Sequence, residues 1–164
     1  MRKFKQHWEI QHNWQLIFPI LGLLGLIYSS YKLSLIFSKD FSTYITVLVT
    51  AVIFFLLLKF ILFLFKKLEK KWVLKYKWEM IRVFLVFAIT GSSSVVVGRP
   101  FIIFIGITKE NLNSFIYWIL FVFITITFYQ ILLVIFGWLF GQFQFFWNFE
   151  KKMLKRFGFS RFVK

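Results

Sequence analysis

The chain has no cysteine. That excludes disulfides, thiolate metal sites and cysteine nucleophiles, and leaves the redox compartment open. It has six acidic residues against 21 lysines and arginines, with two histidines, so acid–base pairs and metal cages have few side chains to be built from. What it has instead is apolar bulk. Hydrophobic residues make up 60% of the 164 and aromatic residues 24%, against roughly 45–50% apolar in soluble domains. A water-soluble core cannot absorb that excess, so it must face lipid. The formal charge of +15 falls in clusters between long apolar runs and does not mark one basic face, which points to anionic headgroups rather than nucleic acid.

Four apolar runs are long enough to cross roughly 30 Å of hydrocarbon at about 1.5 Å per helical residue. They span about 14–37, 42–65, 77–97 and 113–136. SKDFST at 38–43 and GITKENLNS after Pro100 are turns. Gly98 and Pro100 are expected to end the third helix, because proline cannot continue one and restricts the residue before it. The N-terminus MRKFKQHW resembles a signal-peptide opening, but the run behind it is too long for an h-region and lacks a small-x-small cleavage site, so an uncleaved first helix is expected. Beyond Gly137 the chain is basic and aromatic at helical spacing. Phe143, Phe146, Trp147, Leu154 and Phe157 lie on one side and Gln144, Asn148, Lys151, Lys152 and Lys155 on the other, the pattern of an interfacial helix; the alternative is that the fourth helix continues into water and packs on 66–77. The fold class expected is all-α, an integral membrane four-helix bundle made of two repeated helical hairpins. The organisation is 1–71 for the first hairpin, 72–137 for the second and 138–164 for the amphipathic tail.

Lysine and arginine set the orientation. Three lie at the N-terminus, six in 66–77 and six in the tail, whereas the opposite turns hold Lys39 and Lys109, with Lys32 and Arg99 near that end. Positive loops stay inside, so both termini are expected in the cytoplasm.

An offset of 64 pairs Trp8 with Trp72, Trp14 with Trp78, Ile17 with Ile81, Leu21 with Leu85, and Ser29-Ser30 with Ser93-Ser94. Two hairpins entering from one side imply a parallel repeat about an axis along the membrane normal. Small residues at three- or four-residue spacing, Gly22, Gly25 and Ser29 in the first helix and Ala88 with Ser92 and Thr90 with Ser94 and Gly98 in the third, with Gly91 among them, are expected to pack those helices together. Gly137 and Gly141 form a second such ridge and would also ease a bend.

Ionisable groups inside spans are the functional candidates. Glu79 and Arg82, three apart beside Trp78, read as an interfacial ion pair. Lys59 lies about two turns from a basic block and snorkels. His7 and His12 are five apart, which misses the four-residue spacing that puts two ligands on one helix face, so no metal is expected; no cofactor is either. Arg99, between Gly98 and Pro100, could hold a phosphate or carboxylate bidentately. Ser92, Ser93 and Ser94, at the depth of Lys32 in the repeat frame, are small packing hydroxyls or, with a desolvated lysine, a nucleophile and base. Together Arg99, Lys32 and Ser92–Ser94 are the lipid- or anion-binding candidates.

AITGSSSVVVGRPF and YQILLVIFGWLFGQFQFFWNFEKKM, within about residues 72–158, resemble a family of small uncharacterised bacterial inner-membrane proteins. Some members are labelled prolipoprotein diacylglyceryl transferase. That activity does not carry over: such transferases have more spans and an arginine and histidine signature absent here, and both histidines fall on the expected cytoplasmic side. The resemblance implies a bacterial cytoplasmic membrane.

Charges gathered at helix ends favour a non-catalytic subunit or scaffold of a membrane assembly, or a homo-oligomer, with anionic lipid at the cytoplasmic face. The alternatives are a lipid-modifying or lipid-moving protein working at the outer leaflet through Arg99, Lys32 and the serine run, and a small transporter with a site between the repeats.

Overall fold

The protein is all-helical. The computed structural model describes residues 2–38, 42–69, 71–72 and 74–156, with no strand among them. The order is α1 (Arg2–His7), a 3-10 turn (Asn13–Leu16), α2 (Ile17–Ser38), α3 (Thr43–Leu68), α4 (Trp78–Phe104), α5 (Ser114–Leu139) and α6 (Phe143–Arg156). Four helices, the 3-10 turn counted with α2, are long and apolar enough to cross a membrane. Val47, Phe55, Leu56 and Phe60 of α3 and Phe115 and Phe123 of α5 are exposed, a surface that only lipid satisfies without loss. The turn expected at 38–43 falls partly outside the described residues.

The chain divides into two compact units, Met1–Arg82 and Val83–Lys164, with the boundary inside α4. In the first unit, α2 packs on α3 through a stripe of hydroxyls. Ser30, Ser34 and Ser38 follow Leu26 at four-residue spacing and are all buried. Ser30 Oγ donates to the Leu26 carbonyl at 2.7 Å and Ser38 Oγ to that of Ser34 at 2.8 Å. Ser34 Oγ lies 2.7 Å from Thr50 Oγ1, which itself reaches the Thr46 carbonyl at 2.7 Å. Hydroxyls bonded to their own helix present a small, satisfied surface and let the backbones approach. The expected stripe of Gly22, Gly25 and Ser29 is corrected by one position, about 100° around the helix. Ser29 is exposed and nothing lies within 4 Å of a Cβ placed on Gly25; Gly22 instead faces Ile81 in the first turn of α4, 3.5 Å from such a Cβ. The N-terminal collar is tied to that turn by the Trp78 amide donating to the Trp8 carbonyl at 3.0 Å, and by the Lys77 amide donating to Glu9 Oε2 at 3.1 Å.

In the second unit the buried face of α4 is Val83, Val86, Thr90, Ser94, Gly98 and Ile102. Thr90, Ser94 and Gly98 are where the small-residue series placed them, but Ala88 is exposed and Gly91 faces open space. Gly98 meets α5 closely, since a Cβ there would sit 3.2 Å from Thr125 Oγ1. α4 does not stop at Gly98 and Pro100, as expected, but runs on to Phe104. Proline costs the helix one hydrogen bond, which membrane helices tolerate where packing holds both sides; here Gly98 and the Phe101–Phe128 edge contact at 5.1 Å flank it. The true stop is Gly106, at φ +78°. The Ile107 amide reaches back to the Ile102 carbonyl at 3.1 Å and the Gly106 amide to that of Ile103 at 3.0 Å, the paired bonds of a Schellman cap. α5 begins under Asn113, whose side chain accepts from the Phe115 amide at 3.0 Å, an N-cap.

α5 ends the same way. Gly141 has φ +68°, the Gln142 amide donates to Gly137 O at 2.7 Å and the Gly141 amide to Trp138 O at 2.9 Å. Gly137 is therefore not the break but an interior notch. α6 folds back on α5 and seats Phe146, fully buried, against it, so close that a Cβ on Gly137 would be 2.6 Å from the ring. The buried stripe of α6 is Gln142, Phe146 and Glu150, rotated from the expected apolar side. Phe143 and Trp147 are exposed, Leu154 is half-buried and Phe157 lies outside the described residues. Patterning finds the mean apolar direction, whereas the helix seam is set by where a small residue lets the backbone in.

Gly137→Ala should therefore lower stability by about 1–3 kcal/mol, the cost of overpacking a filled site. Gly25→Ala, with open space around it, should be neutral or gain up to about 1 kcal/mol from helix propensity. Thermal unfolding of both variants in the same detergent checks the contrast.

Candidate functional site

Three places gather polar chemistry. The first is where sequence put the anion candidates. Lys32 lies on α2 in the first unit, exposed, with its Nζ 5.9 Å from the Tyr28 ring. Ser92, Ser93, Ser94 and Arg99 lie on α4 in the second. Ser92 Oγ donates within its own helix, to the Ala88 carbonyl at 3.0 Å and that of Ile89 at 3.1 Å. Ser94 Oγ donates to Gly91 O at 2.9 Å and is buried. Their protons are thus committed to helix carbonyls, as packing hydroxyls are. Arg99 is exposed seven residues beyond Ser92, on the same helix face.

The second place is the start of α4. Arg82 Nη2 is 3.5 Å from Glu79 Oε1, and both side chains are about nine-tenths buried. The guanidinium also lies 4.7 Å from the Trp78 ring and 5.6 Å from that of Phe18. Trp14 meets Phe18 and Trp78 edge-on at 6.1 and 5.8 Å, so the two tryptophans that the 64-residue offset makes equivalent touch each other. Glu79 Oε2 accepts from the Lys75 amide at 3.0 Å. The ion pair expected at an interface is thus walled by aromatic rings. Nearby, a cleft of about 240 Å³ is lined by Glu9, Glu69, Trp72, Tyr76 and Lys77 among others. Lys77 Nζ is 3.0 Å from Glu69 Oε1, and that hydrogen bond and charge hold its ammonium above the usual lysine range. The arrangement fits the anchoring of a charged helix end.

The third place is the seam of α6. Phe146 and Phe149 meet Phe87 edge-on at 5.2 and 5.5 Å. One turn past Phe146, Glu150 is 4% exposed, its Oε1 has no hydrogen-bond partner, and burial pushes its carboxyl up to about 6. Thr90 and Thr125 Oγ1 are also buried without partners, but only Glu150 of these three can exchange a proton near neutrality. On the outer side Phe143 and Trp147 stack at 5.8 Å and 14°, and Lys151 Nζ lies 5.7 Å from the Trp147 ring. Sequence reasoning missed Glu150 because it sits among lysines; its four-residue spacing from Phe146, and that of Phe146 from Gln142, was the available signal. Among the described residues no three His, Cys, Asp or Glu side chains gather as metal ligands do.

Arg82→Lys should cost about 1 kcal/mol, because an ammonium loses the planar guanidinium's contact with the Trp78 and Phe18 rings. Arg99→Lys, at an exposed site, should change stability by less than about 0.5 kcal/mol. Unfolding in detergent monitored by tryptophan fluorescence separates them.

Residues 82–161 match the model of a family of unknown function, DUF6787. The match begins one residue before the second compact unit. No curated protein and no solved structure matches the chain.

Proposed function

We propose that this multi-pass membrane protein is a non-catalytic subunit or scaffold of a membrane assembly, or a homo-oligomer, that engages anionic headgroups at the cytoplasmic face of a bacterial inner membrane. The carrying observation is the outer side of α6. Exposed Phe143 and Trp147 stack there, with Lys151, Lys152 and Lys155 on the same short helix. Aromatic rings favour the headgroup boundary, and each lysine near an anionic surface adds about 1 kcal/mol. The basic 66–77 segment belongs on that side too, which puts both termini in the cytoplasm. The two hairpins form a parallel repeat in this reading, and Gly137 serves the docking of α6 while Gly141 turns the chain.

Native mass spectrometry of gently solubilised protein tests it. Retained anionic lipid should fall several-fold in Lys152→Glu/Lys155→Glu and stay unchanged in Arg99→Ala and Ser93→Ala. If the last two variants lose the lipid and the charge reversal does not, the outer-leaflet reading through Arg99 and the serine run replaces this one.

A further inference from the structure

We propose that Glu150 is a proton-controlled latch: its buried carboxyl holds α6 against α5 when protonated and favours release of the helix when ionised. The latch would regulate the α6 surface described above, and rests on that reading only for what the freed helix binds.

α6 is seated by Phe146 over Gly137 and by Phe146 and Phe149 against Phe87, and one turn past Phe146 the buried position is a carboxyl. A buried carboxylate is tolerated where a cation or several donors face it, and is otherwise neutralised. Among the described residues, α4 and α5 bring no cation beside it. α5 carries no Lys, Arg, His, Asp or Glu; its ionisable side chains are Tyr117, near its far end, and Tyr129, which interacts electrostatically with Glu150. α4 from Val83 onward carries only Arg99, twelve residues and so about three turns beyond the Phe87 contact. On α6 itself, Lys152, Lys155 and Arg156 are exposed and Lys151 reaches toward Trp147. Among the described residues no cation pairs with Glu150. Among the described residues, a proton is the neutralising partner left for this seam.

The sign follows from linkage. A carboxyl raised from 4.5 to about 6 in the docked helix binds its proton more tightly docked than free. Docking is strongest below pH 4.5, weakens as pH rises through about 6, and is flat above. At tenfold per unit, the docking constant falls about 30-fold across that window. Freed, the helix adds Phe146 and Phe149 to the aromatic and basic residues that already face outward.

A nitroxide on Met153→Cys, a half-buried position three residues past Glu150 in a chain with no other cysteine, reports docking. In nanodiscs of neutral lipid the label should be immobile at pH 4.5 and gain a mobile population by pH 7.5. Glu150→Gln should keep it immobile throughout. Infrared difference spectra of the unsubstituted chain should lose a protonated-carboxyl band with a midpoint near pH 6, apart from the ordinary carboxyls that titrate near about 4, which keeps the test decisive if the variant misfolds. A label or band that does not respond to pH, or a pH response that survives Glu150→Gln, overturns the latch. Because the bilayer is neutral, a pH response without anionic-lipid retention sinks only the lipid reading, and lipid retention without a pH response sinks only the latch.

Discussion

Hydrocarbon offers no hydrogen bonds, and that one constraint accounts for most of what the chain does. Polar atoms within the spans close on their own helix where they can. Ser30, Ser38, Ser92 and Ser94 all donate to carbonyls three or four residues back. The carbonyls left over at the ends of α4 and α5 are met by paired amide bonds around Gly106 and Gly141, as helix ends require. Large apolar side chains can stay outward-facing along α3 and α5, since lipid is as apolar as they are and gives no reason to hide them.

With the hydrophobic term removed, close backbone approach decides which faces touch. Each unit solves this with its own small-residue stripe: serines between α2 and α3, and Gly98 against Thr125, then Gly137 under Phe146, among α4, α5 and α6. The price of such a seam is that whatever lies at its next position is buried regardless of polarity, and at α6 that residue is Glu150.

The all-helical class and four long apolar helices were legible in the sequence, because length and composition are enough to specify them. So was the Glu79–Arg82 pair, since three-residue spacing on a helix leaves little choice. Helix phase was not. Gly25 and Ser29 looked like a packing stripe, yet the seam fell on Ser30, Ser34 and Ser38, because in a helix apolar on every side nothing in the pattern says which side meets protein. The third helix ran past Pro100 because packing on both sides outweighed the loss of one backbone bond. Glu150 was hidden by the same loss of phase, on a tail whose strong polarity contrast points to the water boundary, not to the α5 seam.

The match over residues 82–161 covers the second unit almost entirely, so α6 and its seam lie within the stretch shared with that family. Every seam and cap in the chain presupposes lipid as the solvent of the spans. In membranes, single cysteines placed along α3 from Thr46 to Phe63 and exposed to a water-soluble maleimide test this most directly. Protection through the middle of the helix, with labelling returning only at its ends, is the result expected. Uniform labelling along the helix would contradict it.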